Sequence, residues 1–227
     1  MNNNIDNTIT INNHPNLNPK NNHCVLASNN QGKLAELQDL FNHHKLGLKL
    51  IPQAQLNIDD AIEDGLSFIE NAIIKARHAS RISGLPAIAD DSGLCVPVLG
   101  NAPGIYSARY AGIENKATRD QANNAKLINE LTPIRTQNPN TPIIGQFVCV
   151  LAMVHHADDP HPIIAEGIWQ GEILAEPKGT NGFGYDPLFW LPTLGKSSAE
   201  LSKKEKSAIS HRGIASRELI AKIKQAL

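Results

Sequence analysis

Two long apolar stretches, residues 144–155 and 163–173, flank the polar turn Ala157-Asp158-Asp159-Pro160. That pattern reads as one long antiparallel hairpin, and it sets what the remaining segments can do. Upstream, short apolar runs alternate with helical periodicity instead. Cys24-Val25-Leu26-Ala27 suits a buried strand. Residues 33–43 place Leu34, Leu37, Leu40 and Phe41 on one helical face, and residues 48–51 form a second short strand. Residues 67–83 repeat Phe68, Ala72, Ile73, Ala76 and Ala79 at helical spacing. Ser67 with Glu70 three residues on spells a capping box, and Gly84 a stop. Ala87-Ile88-Ala89 is a third strand, 118–131 a helix, 132–142 a polar linker and 208–227 a last helix. Loops rich in Gly occupy 101–112 and 177–189. The order β-α-β-α-β, then hairpin, then helix predicts an α/β fold with a mixed sheet and flanking helices.

The 227 residues suffice for one sizeable domain, or two small lobes around a shared sheet. Net charge is −1, without the basic surplus of a general nucleic-acid or membrane binder. Cys24, Cys95 and Cys149 lie far apart and show no metal-ligand spacing, so they read as free thiols of a reducing cytoplasm. No run of 18 apolar residues appears, and no apolar segment follows a basic N-terminus; neither a membrane span nor a signal peptide is expected. Residues 1–22 are dominated by Asn and have little apolar surface to bury. They read as a flexible extension to a single domain at 23–227.

Five segments carry side chains suited to chemistry. Ser28-Asn29-Asn30-Gln31-Gly32-Lys33 joins a strand to a helix, a place where backbone N–H groups and a positive helix end favour phosphate. An ordinary capped turn fits these residues equally well. The spacing of a P-loop is absent, because Leu34 follows Lys33. Asp90-Asp91-Ser92-Gly93 follows the third strand. Strand alternation sends the two carboxylates to opposite faces, one toward a cleft and one as support. A carboxylate at a strand end can ligate Mg²⁺ or accept a proton from water; an Asp-capped turn is the plainer alternative. Asp59, Asp60, Glu63, Asp64 and Glu70 form an acidic stretch, mostly a solvated face, one member of which could complete a metal site. In Thr180-Asn181-Gly182-Phe183-Gly184-Tyr185-Asp186-Pro187, the glycines let backbone approach a flat ligand. Phe183 is placed to stack on a base, and Asp186 to bond its edge. Finally, Lys203-Lys204-Glu205-Lys206 and Ser210-His211-Arg212-Gly213 form the densest basic cluster, suited to polyphosphate or keto oxygens. For Lys203 and Lys204 a solvated helix start is the better reading.

Taken in order, six segments make the chain resemble the inosine/xanthosine triphosphate pyrophosphatase family. They are Ala27 to Lys33, Ser67-Phe68-Ile69-Glu70-Asn71-Ala72, Ala89 to Leu94, Ala102-Pro103-Gly104-Ile105-Tyr106-Ser107-Ala108-Arg109-Tyr110, Gly182 to Pro187, and Lys206 to Gly213. The resemblance implies an elongated α/β fold with two lobes around a cleft, Mg²⁺ dependence, a homodimer, and hydrolysis of ITP, dITP and XTP to the monophosphate and pyrophosphate. It places Ser28, Asn29, Asn30, Gln31, Gly32 and Lys33 on the triphosphate. Asp91 falls at the catalytic base and metal position, with Ser92 beside it on the substrate and Asp90 as an auxiliary. Phe183, Gly184, Tyr185, Asp186, Lys206, His211 and Arg212 fall on nucleotide-binding positions. Glu63 falls near a second acidic metal contact. Competing readings are a pyrophosphatase for other modified nucleotides and a nucleotide-binding regulator without turnover.

Overall fold

Seven strands form one sheet in the order β2-β1-β3-β4-β5-β6-β7, in a computed structural model that describes residues 22–226. Of the Asn-rich segment only Asn22 falls among the described residues. The strands β1 (His23–Leu26), β2 (Lys49–Pro52) and β3 (Ala87–Cys95) run parallel. β4 (Ile144–Val154), β5 (Ile163–Ile173), β6 (Phe189–Leu191) and β7 (Lys196–Ser197) continue the sheet antiparallel. The helices are α1 (Gln31–His43), α2 (Phe68–Ser83), α3 (Lys116–Gln137), α4 (Lys203–Ile209) and α5 (His211–Ala226). The expected α/β class, mixed sheet and flanking helices are all present.

Strand alternation sorts the core onto the two faces of the sheet. Cys24, Leu26, Ile88, Cys149, Leu151 and Met153 pack under Leu37 and Phe41 of α1 and Ala215, Leu219, Ile220 and Ile223 of α5. Val25, Ala27, Ala87, Ala89, Val148, Val150 and Val154 face α2, whose Ala72, Ala76 and Ala79 carry no bulk to hold it off the sheet. A third core gathers Leu94, Phe147, Trp169 and Phe189 with Leu127 and Leu131 of α3. Along β3 the buried members of the first two cores end at Ile88 and Ala89, and those of the third begin at Leu94. The polar run Asp90-Asp91-Ser92-Gly93 lies in the gap between them.

Several boundaries differ from the sequence reading. The strand at Ala87-Ile88-Ala89 does not stop before the aspartates: β3 runs to Cys95, and all nine residues pair with β4. Backbone pairing with a long buried neighbour outweighs the low strand propensity of Asp-Asp-Ser-Gly. Helix α3 continues through Pro133 and absorbs half of the expected linker. Leu131 is buried and Ile134 packs on the same core, while the Thr132 and Thr136 hydroxyls donate to the carbonyls of Ile128 and Thr132. The last helix is two, α4 and α5, broken at Ser210, whose extended backbone (ψ 161°) ends α4 and whose Oγ accepts the Gly213 N–H. Strands β6 and β7, three and two residues long, are too short to show a period and were not expected. At α2, Ser67 Oγ accepts the Glu70 N–H as a cap should, but Glu70 reaches the Leu66 N–H, one residue before the place a capping box requires. Gly84 ends the helix in the left-handed conformation (φ 69°).

Candidate active site

The two aspartates leave β3 in opposite directions, as alternation requires. Asp90 continues the Ile88 face, is 7% exposed, and receives Lys33 Nζ from the first turn of α1 at 2.7 and 2.9 Å. Ser92 Oγ also donates to it, at 3.2 Å. Burial alone would raise the Asp90 pKa, but the charges of Lys33, Arg212 and Lys75 outweigh it and hold the carboxyl well below the usual range. Asp91 continues the Ala89 face and accepts from Lys75 Nζ on α2 at 2.9 Å. Asn71, one helical turn before Lys75, brings its amide to 3.5 Å from the other Asp91 oxygen. The same Lys75 ammonium lies 3.3 Å from Glu63. Here burial raises the Asp91 pKa and the Glu63 and Asp90 charges add to it, with Lys75 in opposition; the carboxyl sits above its ordinary value. Lys75 is the main residue that sequence reading missed. Its signal was a polar i, i+4 pair, Asn71 and Lys75, bordering the Ala72–Ala76 stripe.

Both aspartates line a cavity of about 430 Å³, shared with Glu63, Lys75, Ser92, Asn30 and Lys33 at one end and Phe183, Gly184, Tyr185, His211 and Arg212 toward the other. A second chamber of about 620 Å³ shares Asn30, Lys33, Phe183, Lys206, Ser210 and Arg212 as a common wall. Both alternation partners therefore reach the cleft, where only one was expected to.

The glycine-containing turn is tighter than a loop. Gln31, Gly32 and Lys33 already belong to α1, and Asn30 caps it by accepting the Gly32 and Lys33 N–H groups at 2.9 and 3.1 Å. These bonds make the segment a capped turn, the plainer of its two readings. Ser28 accepts the Asn30 N–H and Asn29 accepts the Ala54 N–H, so both shape the turn. Asn30, Gly32 and Lys33 line the cleft, whereas Gln31 lines a separate groove between α1 and β2.

At the other end, Phe183 is 58% exposed, with Lys206 Nζ 5.2 Å and Arg212 Cζ 6.0 Å from its ring centre. Asp186 is turned inward and does not present its carboxylate as an edge for a base. It is 2% exposed, and it accepts the Phe183 N–H, the Ser198 hydroxyl and the Lys206 ammonium. Three donors around a buried carboxylate satisfy its charge. Gly182 permits this closeness, since a methyl group there would run into the Asp186 carboxylate. Tyr185 is also buried, donating its hydroxyl to the Ser107 carbonyl at 2.9 Å and so holding the turn at Gly104–Arg109. That turn rests on β3 at Gly93, where a methyl group would lie 2.9 Å from Phe68 and collide with Gly104.

His211 opens α5 and stacks on Phe147 with ring centres 4.8 Å apart. It is 7% exposed, and its Nδ1 has no partner among the described residues. Burial, with the charges of Arg212 and Lys206, lowers its pKa from 6.5 to about 3, so the ring is neutral at neutral pH. Below pH 6.5 the unfolded chain takes up a proton that the folded chain refuses. Stability must therefore fall as pH drops through that window and stay flat above it. At 1.4 kcal/mol per unit, His211 should cost roughly 2–3 kcal/mol at pH 4.5. Urea unfolding at pH 7.5 and 4.5 checks this: His211→Phe, which keeps the stack, is expected to lose about 2 kcal/mol less than the parent on acidification.

Asp91 and Glu63 converge on one cationic centre, the Lys75 ammonium. Two carboxylates so placed suit a divalent cation, since Mg²⁺ takes one or two protein carboxylates and completes its shell with water and phosphate. Among the described residues no group of three or more His, Cys, Asp or Glu side chains gathers around a metal position, in this cleft or outside it. The cleft thus joins a charged end that can hold phosphates and a cation to an aromatic and basic end that can hold a base.

Known proteins are similar to this chain in sequence and in fold. The Ham1 family model matches residues 24–222. A dITP/XTP pyrophosphatase of Acinetobacter baumannii is 69% identical over 189 residues, covering 83% of this chain and 89% of that protein. The dITP/XTP pyrophosphatase of Ralstonia nicotianae is 54% identical over 200 residues, covering 88% and 96%. The solved structure of a HAM1 protein from Coxiella burnetii aligns with a TM-score of 0.82 at 44% identity, over 89% of this chain and 98% of that one. The resemblance drawn from the six ordered segments is borne out: the chain belongs to the Ham1 family.

Proposed function

We propose that the protein hydrolyses deaminated purine nucleoside triphosphates (ITP, dITP and XTP) to the monophosphate and pyrophosphate, and so clears them from the nucleotide pool. The observation that carries this reading is the joining, in one cleft, of the Asp91–Lys75–Glu63 cluster with Lys33 on one side and the Phe183–Arg212–His211 wall on the other. Relatives at up to 69% identity that are named dITP/XTP pyrophosphatases support the same substrate class.

Asp91 is the base in this reading. Its carboxyl is held above the ordinary range, which suits a group that must take a proton from water as the α-phosphorus is attacked. Asp91 and Glu63 would hold Mg²⁺, which supplies neutralisation of phosphate charge when bound. Lys33 is poised at the mouth of α1 to exchange its carboxylate partner Asp90 for the leaving polyphosphate, and Asn30 lines the same wall. Ser92 stands beside them with its hydroxyl on Asp90. At the base end Phe183 stacks, with Gly184 and Tyr185 forming the floor of its loop. Arg212 and Lys206 carry only donors, so they favour the 6-keto group of hypoxanthine and xanthine over the amino group of adenine. Asp186 takes one Lys206 hydrogen and leaves others for the ligand. The homodimer implied by the resemblance and the cytoplasmic setting read from the free cysteines belong to this proposal. Among the described residues no helix is long and apolar enough to cross a membrane.

The test is pyrophosphate release from ITP, XTP, GTP and ATP, with and without Mg²⁺. ITP and XTP are expected to turn over, and only with the cation. Equal rates on ATP and ITP would rule out the proposed base selectivity, and tight ITP binding without release would leave a regulator. Phe183→Ala is expected to raise KM for ITP roughly 10-fold with kcat nearly unchanged, because stacking of about 1–3 kcal/mol per base acts on ground and transition states alike. A steady-state titration reads it.

A further inference from the structure

Lys75 belongs to no segment singled out for chemistry, yet it holds the central charge of the cleft. Its ammonium is 2.9 Å from Asp91 Oδ1 and 3.3 Å from Glu63 Oε2, and its side chain is 15% exposed. Asn71 braces the second Asp91 oxygen from the same helix. Two carboxylates facing one another without a cation between them repel, and burial makes that costly. An ammonium ion and a divalent cation answer the same need, but they cannot occupy the same place.

We propose that Lys75 is a built-in placeholder: in the free protein its ammonium fills the position between Asp91 and Glu63 that a divalent cation takes once nucleotide is bound. The inference rests on the proposed role of Asp91 and Glu63 as cation ligands. Its consequence is an order of events. Without nucleotide, a cation entering the site meets a positive charge that has nowhere better to go. Nucleotide phosphates supply that place, in the cavity that Lys75 lines together with Lys33 and Asn30. Nucleotide then relieves the competition, and by linkage the cation strengthens nucleotide binding by the same factor. Lys33 repeats the arrangement on the other face of β3, where it covers Asp90. Each carboxylate of the pair has its own ammonium.

The experiment is Mn²⁺ binding to the full chain, followed by the electron paramagnetic resonance of the free ion. Without nucleotide, Lys75→Met is expected to bind one Mn²⁺ roughly 10-fold or more tightly than the parent, because a positive charge a few ångströms away has been removed. Adding Asp91→Asn should abolish the gain. Lys75→Gln, which keeps a hydrogen-bond donor, guards against a folding defect and should gain in the same direction, with thermal unfolding run in parallel. With an α,β-methylene analogue of ITP present, the parent should close most of the gap to Lys75→Met. If the folded Lys75 variants bind Mn²⁺ no more tightly than the parent while the parent with the analogue does bind it, the placeholder is overturned and the cation site stands. If no form binds Mn²⁺ even with the analogue, the assignment of Asp91 and Glu63 falls, and the placeholder falls with it.

Discussion

Asp91→Asn is expected to lower kcat for ITP at least ~10³-fold while the protein stays folded, because in the proposed function one change removes both a proton acceptor and a cation ligand. The fold tolerates it for a reason visible in the site. Burial and the Glu63 and Asp90 charges raise the Asp91 pKa, which means that folding disfavours its ionised form relative to the unfolded chain. A neutral amide of the same shape removes that strain, and Lys75 keeps Glu63 as a partner. The neighbouring residue should behave in the opposite way. The Asp90 pKa is held well below the ordinary range, so its carboxylate contributes stability at every pH above its unfolded value and loses it as pH falls toward the folded one. Asp90→Asn gives up that contribution and leaves Lys33 unpaired, and its melting temperature should drop. Kinetics and thermal melts on the two variants separate chemistry from support. Near-normal turnover by a folded Asp91→Asn protein would sink the assignment of the base.

The largest loss of stability is expected at a residue with no side chain. Gly167 lies on β5 where α5 begins, and a methyl group built on it lands on the His211 carbonyl oxygen and 2.6 Å from the Ala215 nitrogen. Both obstacles are backbone, so no rotamer change relieves them. Gly167→Ala must push the first turn of α5 off the sheet, at a cost of about 3 kcal/mol, the upper part of the range for overpacked cores. For a domain of this size that corresponds to a fall in melting temperature of roughly 6–12 °C. The damage should reach the cleft as well. His211 would lose its stack on Phe147, and Arg212 would shift with it. A calorimetric melt and KM for ITP are expected to change together. A variant that melts like the parent would show that the helix can slide without cost.

Much of this was legible in the chain because it depends on local period and composition. The two-residue period of a strand is enough to separate Asp90 from Asp91, and the helical spacing of Ala72, Ala76 and Ala79 marks the face of α2 that meets the sheet. Ser67 and Gly84 mark its ends. The Gly-Phe-Gly loop identifies an aromatic side chain with open surroundings, and Phe183 is indeed exposed. Six short segments in a fixed order sufficed for the family.

What the chain alone could not reveal were the partners across distance. Lys33 and Asp90 are 57 positions apart, and Lys75 and Asp91 16 apart; nothing local ties an ammonium to one carboxylate rather than another. Asp186 looked like a ligand for a base, but the fold surrounds it with three donors of its own. The end of β3 was misplaced because its last residues are strand only through pairing with β4. Residues 132–142 read as a polar linker, and only the packing of Leu131 and Ile134 carries α3 into them through Pro133. Side-chain period and capping are properties of neighbours in sequence, so the sequence by itself determined most of the longer elements, the family and the opposite facing of the two aspartates. Burial and charge pairing are properties of neighbours in space. Tertiary structure alone decided that Asp90 is covered by Lys33, that Asp91 and Glu63 share Lys75, and that both carboxylates open onto one cleft.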